Sequence, residues 1–151
     1  MELFSEEYFM TKALDEAKKA FELGEVPVGA IVVCNEYIVA KAHNSTEQLH
    51  DVTAHAEIIA ITAAANYLQS KYLKQCTLYV TLEPCIMCAG ALKWAQIGKI
   101  VYGAVDEKNG FMTVGKSILH PQTKLSYGVL ENDCSKLLTS FFKSKRFSSL
   151  I

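Results

Sequence analysis

"TLYVTLEPCIMCAGALKWAQIGKIVYGA", residues 77–104, sets two short β-rich runs on either side of an apolar stretch led by a proline. Thr77 to Val80 and Lys99 to Tyr102 read as strands, and Cys85 to Ala95 between them as a largely buried helix. Upstream, Phe9, Ala13, Ala17, Ala20 and Phe21 recur at helical spacing. Ser5, Glu6 and Glu7 open that stripe and Gly24 closes it, which predicts a first helix over residues 5–23. Val28 to Cys34 and Tyr37 to Ala42 are β-rich runs joined by Asn35-Glu36, a connection short enough for a hairpin. A polar loop from His43 to Thr53 follows. Ala54 to Leu68 is apolar nearly all round and too long for a strand, so it is expected to be a helix in the interior. Downstream, Glu107 to Ser126 reads as loop with one short helical turn, and Tyr127 to Leu130 as a last strand. Cys134, Leu137, Leu138, Phe141 and Phe142 mark the inner face of a terminal helix. Helices alternating with strands in this order fit a three-layer α/β/α architecture around a mixed sheet of about five strands.

At 151 residues, half of them hydrophobic, the chain has the material for one core, and a single domain over residues 1–151 is expected. The N-terminus is acidic where a secretory signal would be basic. No apolar run approaches the roughly 18 residues of a membrane span. The expected setting is cytoplasmic, with no membrane. In a reducing compartment five cysteines read as thiols or metal ligands, not crosslinks. A net charge of −1 gives no general warrant for nucleic-acid binding. After Asp133, however, every charge is positive: Lys136, Lys143, Lys145 and Arg146. That end suits either a solvated helix terminus or a contact with a phosphate backbone.

Pro84 suits a helix first turn, which places Cys85 and Cys88 at a helix start, pointing to one side. A helix N-terminus favours thiolate, the form that binds zinc. Alone, the pair could equally be a redox couple or two small buried side chains. The previous buried helix opens with "TAHAEIIAI", residues 53–61, where Thr53 is a plausible N-cap, His55 lies in the first turn and Glu57 two residues on. One imidazole and two thiolates make the three-ligand set of a catalytic zinc, with the fourth position left to water. A structural site would need another ligand. His43, His50, His120, Cys34, Cys76 and Cys134 are candidates in principle, but none has the local pairing of a zinc finger. Glu57 is then placed to act as acid and base beside the metal.

His55-Ala56-Glu57 with Pro84-Cys85-Ile86-Met87-Cys88 is similar to the signature of the zinc-dependent cytidine-deaminase-like superfamily. Within it, "EVPVGAIVV", "HDVTAHAEI", "LYVTLEPCIMCAGAL" and "YGAVDEK" resemble the TadA-type tRNA-specific adenosine deaminases of bacteria, over nearly the whole chain. The resemblance implies a cytidine-deaminase-like fold and Zn2+ held by His55, Cys85 and Cys88. It implies that zinc-activated water converts adenosine to inosine at the wobble position of a tRNA anticodon, with Glu57 as proton shuttle. It carries substrate contacts onto Asn44, onto Ala56 through its backbone, onto Val28 beneath the base and onto Asp106 near the ribose. Its partners would be a tRNA anticodon stem-loop, met also by the basic terminal helix beside Phe141 and Phe142, and a second copy in a homodimer.

Two places depart from the family. Asn109-Gly110-Phe111-Met112 stand where a Gly/Ala/Ser-rich stretch is usual, and Val52 where Pro is common. The first leaves open a deaminase of a free base or nucleoside of the guanine or cytosine type. A zinc-stabilised RNA-binding module without catalysis is the alternative from another class. Cys34, Cys76, Cys134, Trp94 and the methionines are expected to be packing groups.

Overall fold

In the computed structural model, which describes residues 1–149, the elements run α1 (Glu6–Glu22), β1 (Gly29–Cys34), β2 (Tyr37–His43), α2 (Thr46–Leu49) and α3 (Ala56–Leu68). They continue through β3 (Cys76–Leu82), α4 (Ile86–Ala95), β4 (Lys99–Ala104), β5 (Lys124–Tyr127) and α5 (Glu131–Ser149). The strands form one sheet in the order β2-β1-β3-β4-β5. β1 is antiparallel to β2 and β3, whereas β3, β4 and β5 are parallel, so the sheet is mixed as expected.

Alternation along each strand sorts two cores. Ala30, Val32, Leu78, Val80, Ile100 and Tyr102 point to the face covered by α3 and α4. Ile31, Val33, Tyr79 and Val101 point to the other, where they meet Phe9, Met10, Ala13 and Leu14 of α1 and Cys134 of α5. The three layers are therefore α1 with α5, the sheet, and α3 with α4. Two glycines let helices seat on strands. A Cβ on Gly29 would run into the backbone of Ala13 and Ala17, and one on Gly103 into Cys134 Sγ. At the hairpin Asn35 and Glu36 take positive φ of 52° and 68°, the left-handed pair that matches the twist of the flanking strands.

Several expectations need correction. The polar loop contains α2, because the buried Glu25 carboxylate accepts from the amides of Glu47 and Gln48 and so caps a turn of helix. The last strand lies at 124–127 instead of 127–130, because Gly128 and Leu130, with φ of 85° and 52°, turn the chain away. Two 3-10 turns, Phe111–Thr113 and Lys116–Ile118, replace the one expected. α3 starts at Ala56 with His55 at its N-cap, and the Thr53 hydroxyl donates to Asp51. Cys85 takes the N-cap of α4, so Pro84 precedes the helix.

The interior placement of α3 holds for one face only. Ala56, Glu57, Ala60 and Ala64 are buried, and small residues there bring the helix close onto the sheet while Tyr67 stays exposed. α4 repeats this, with Cys88, Ala89, Leu92 and Ala95 inward. Trp94 is 82% exposed and Met1, Met87 and Met112 are exposed too, so these are not packing groups here, although Met10 is. In α5, Cys134 and Phe141 are buried, Leu137 and Leu138 half-buried and Phe142 exposed.

Candidate active site

β3 and β4 run parallel, and their carboxyl ends release the chain at the same edge of the sheet, a location where α/β folds gather ligand-binding residues. After β3 come Glu83, Pro84 and Cys85; after β4 come Val105 and Asp106. The N-termini of α3 and α4 arrive at the same edge. A cavity of about 1130 Å3 opens there.

His55 Nδ1 stands 3.7 Å from Cys85 Sγ and 3.5 Å from Cys88 Sγ. The three donor atoms lie within 4.8 Å of one another, the one such group among the described residues. Tetrahedral zinc, with bonds of about 2.3 Å to sulfur and about 2.0 Å to nitrogen, needs S and N donors about 3.5 Å apart. The donor set therefore fits zinc. No fourth His, Cys, Asp or Glu joins it among the described residues, so a metal there keeps a position open. His43, His50, His120, Cys34, Cys76 and Cys134 lie outside the group.

Electrostatics of the donors follow from their contacts. The Cys88 thiol beside Cys85, helped by His55, holds Cys85 down to about 4. The same contact and burial push Cys88 up. His55 is raised, chiefly by its hydrogen bond with Cys85. A divalent cation between the sulfurs favours thiolate at both, which reverses the direction for Cys88. Glu57, only 4% exposed, is pushed up to about 7 by burial. It lines the cavity with His55 and Cys85.

The other residues singled out in the sequence converge here. Val28, Asn44, Ala56 and Asp106 all line the cavity. Asn44 is fixed by its backbone N, which donates to Val28 O at 3.0 Å. Asp106 accepts from the amides of Lys108 and Asn109, so it shapes a turn while bordering the cavity. The basic terminal helix divides. Phe142 reaches the cavity, whereas Phe141 packs on Phe21 and Lys145 lies over the Phe141 ring. Among the buried acids that carried no expectation, Glu25 and Glu83 are each spent on backbone amides of neighbouring segments. A lone Glu beside a proline inside an apolar run, as in "EVPVG" and "TLEPC", is the signal that could have marked them.

A model of the cytidine and deoxycytidylate deaminase zinc-binding region matches residues 4–104. The tRNA-specific adenosine deaminase of Aquifex aeolicus is 51% identical over 145 residues, covering 93% of this chain and 95% of its own. That of Bacillus subtilis is 43% identical over 146 residues, covering 93% and 91%. A solved structure from work on A-to-I editing by deaminases at the wobble position of transfer RNA superposes with a TM-score of 0.82 at 40% identity, over 87% of this chain and 99% of that one. The chain thus belongs to the cytidine and deoxycytidylate deaminase zinc-binding family and, within it, to the tRNA-specific adenosine deaminases.

Proposed function

We propose that this chain hydrolyses adenosine to inosine at the wobble position of a tRNA anticodon stem-loop, with Glu57 moving the protons. The observation that carries the chemistry is an open three-donor group beside a buried carboxyl on the cavity lining. Zinc held by His55, Cys85 and Cys88 supplies Lewis-acid activation of water at neutral pH. Glu57, on the lining with His55 and Cys85, is in place to take and return a proton there. Glu57 accepts a proton from the attacking water and delivers it to the ring nitrogen next to C6. It then assists the second proton transfer, to the 6-amino group, which leaves as ammonia. Adenosine plus water becomes inosine plus ammonia.

Binding falls to the walls. Asn44 offers an amide with both donor and acceptor to the nucleoside, and Val28 packs against the base. Ala56 presents backbone to the base edge, and Asp106 sits by the ribose. Burying a single base requires it to be flipped out of the loop, and the cavity is large enough for one. Phe142 at the cavity offers a flanking nucleotide a ring to stack on.

The active unit is a homodimer in the cytoplasm. Support for a second copy comes from the exposed face of α3 and α4, where Ile61, Thr62, Ala65, Tyr72 and Trp94 line an apolar groove of about 420 Å3. A Cβ on Gly90 would meet nothing within 4 Å, which leaves room for another helix to approach. Ile86 and Met87 belong both to α4 and to the cavity lining, so a partner on this face would stand beside the substrate. Among the described residues no helix is long and apolar enough to cross a membrane.

The test is to give the zinc-loaded protein an anticodon stem-loop with a wobble adenosine, and in parallel free adenosine, guanine and cytosine. Inosine from the stem-loop is expected. Ammonia from a free base alone would overturn the substrate, and no turnover after zinc loading would overturn the enzyme.

A further inference from the structure

Glu83 is a carboxylate buried to 3% exposure, a costly choice for a residue that follows a strand. Its two oxygens are divided between the two ends of one loop. Oε1 accepts from Asp106 N at 3.1 Å, and Oε2 accepts from Met112 N at 3.0 Å. The next residue continues the attachment, since Pro84 O accepts from Phe111 N at 2.9 Å. Cys85 completes it by pairing with Gly110 in an isolated antiparallel bridge. Gly110 has no alternative at that place, because a Cβ there would collide with the Glu83 carboxylate. Phe111 anchors the loop from below, fully buried and edge-on to Tyr102 at 6.1 Å.

Three consecutive residues, the last of them a zinc-ligand candidate, therefore hold the loop from Asp106 to Met112. That loop gives the cavity Asp106, Glu107, Lys108 and Asn109. We propose that Glu83 is a positioning residue that sets this cavity wall relative to the metal, and so governs how tightly the RNA is held and not the rate of the chemical step. The role rests on the deaminase reading of the cavity. The physical reason is that both fixed points are backbone amides, so the carboxylate's two oxygens set the separation of the loop's ends. Glu83→Gln keeps the size but turns an N–H2 toward a backbone N–H, which frees one end of the loop. Asn109-Gly110-Phe111-Met112 is the segment so held.

The test uses the zinc-loaded full chain with a wobble-adenosine stem-loop. Glu83→Gln is expected to keep stoichiometric zinc, to raise KM and the Kd for the stem-loop about tenfold, and to leave kcat within about threefold. Gly110→Ala, which displaces the same carboxylate, should act in the same direction. The double variant should fall short of the sum of the single effects, because both disturb the Glu83 carboxylate, Gly110→Ala pressing on Asp106 O as well. Amide exchange at Met112 should accelerate in each. Loss of zinc, a fall in kcat at unchanged KM, or additive effects of the two substitutions would overturn the proposal. If the wild-type protein makes no inosine, the activity fails, and the Kd and exchange measurements still decide the role of Glu83.

Discussion

Replacing Glu57 by Gln separates two consequences of one buried carboxyl. The side chain is 4% exposed, and burial lifts it from an ordinary 4.5 to about 7. That displacement corresponds to roughly 3 kcal/mol of unfavourable solvation for the ionised form. The sign follows from the raised value. The folded metal-free protein binds a proton more readily than the unfolded chain, so this group's stabilising contribution is complete below pH 4.5 and is lost as pH rises through 7. A neutral Gln of equal size carries no such loss. Metal-free Glu57→Gln should therefore be more stable than metal-free wild type at pH 8, by up to roughly 3 kcal/mol, and close to it at pH 4.5. With zinc restored, the same variant should lose at least about a hundredfold in kcat, because the proton carrier is gone. Denaturant melts at the two pH values after chelation, and inosine formation after zinc loading, measure the two halves. An unaltered turnover number would refute the role in proton transfer. A variant less stable than wild type at pH 8 would refute the account of burial.

Cys88→Ala should abolish stoichiometric zinc, read by elemental analysis, since it removes one of three donors within 4.8 Å of one another. Thiol alkylation at pH 8, counted by mass spectrometry, should reach only the half-exposed Cys34 in zinc-loaded native protein. Burial pushes Cys76 and Cys134 up to about 12, so they remain thiols, while chelation should add Cys85, held down to about 4. Trp94→Glu places a charge on the exposed apolar face of α4 and should convert a dimer to monomers in sedimentation, with editing reduced alongside. An unchanged sedimentation coefficient would exclude this face as the contact.

Most of the site was legible because its chemistry is local in sequence. His55 and Glu57 lie two residues apart, and Cys85 and Cys88 three apart, each pair at a helix start that apolar composition and a flanking Thr53 or Pro84 locate to within a residue or two. Similar local patterns located the central strands. What they missed depends on contacts distant in sequence. α2 exists because Glu25, more than twenty residues before it, caps its amides. β5 is shifted by three residues because left-handed turns at Gly128 and Leu130 send the apolar pair Val129-Leu130 against α1 and α5. The outer face of α3 and α4 was assigned to the interior because apolar composition shows that a face avoids water without showing what covers it.

Three buried carboxylates serve this cavity, and their partners divide them into two kinds. Glu25 accepts from Thr46, Glu47 and Gln48. It thereby holds the segment that follows Asn44, on one wall. Glu83 accepts from Asp106 and Met112 and holds the opposite wall. Their oxygens are committed to donors of the neighbouring segments, so each specifies loop geometry. Glu57 differs: burial raises it to about 7, and it stands next to the metal donors. Glu25 and Glu83 have both oxygens engaged by loop donors, whereas Glu57 sits beside the zinc-donor group. Placing the two tasks on separate glutamates lets the walls stay rigid while Glu57 is left for the proposed proton transfer.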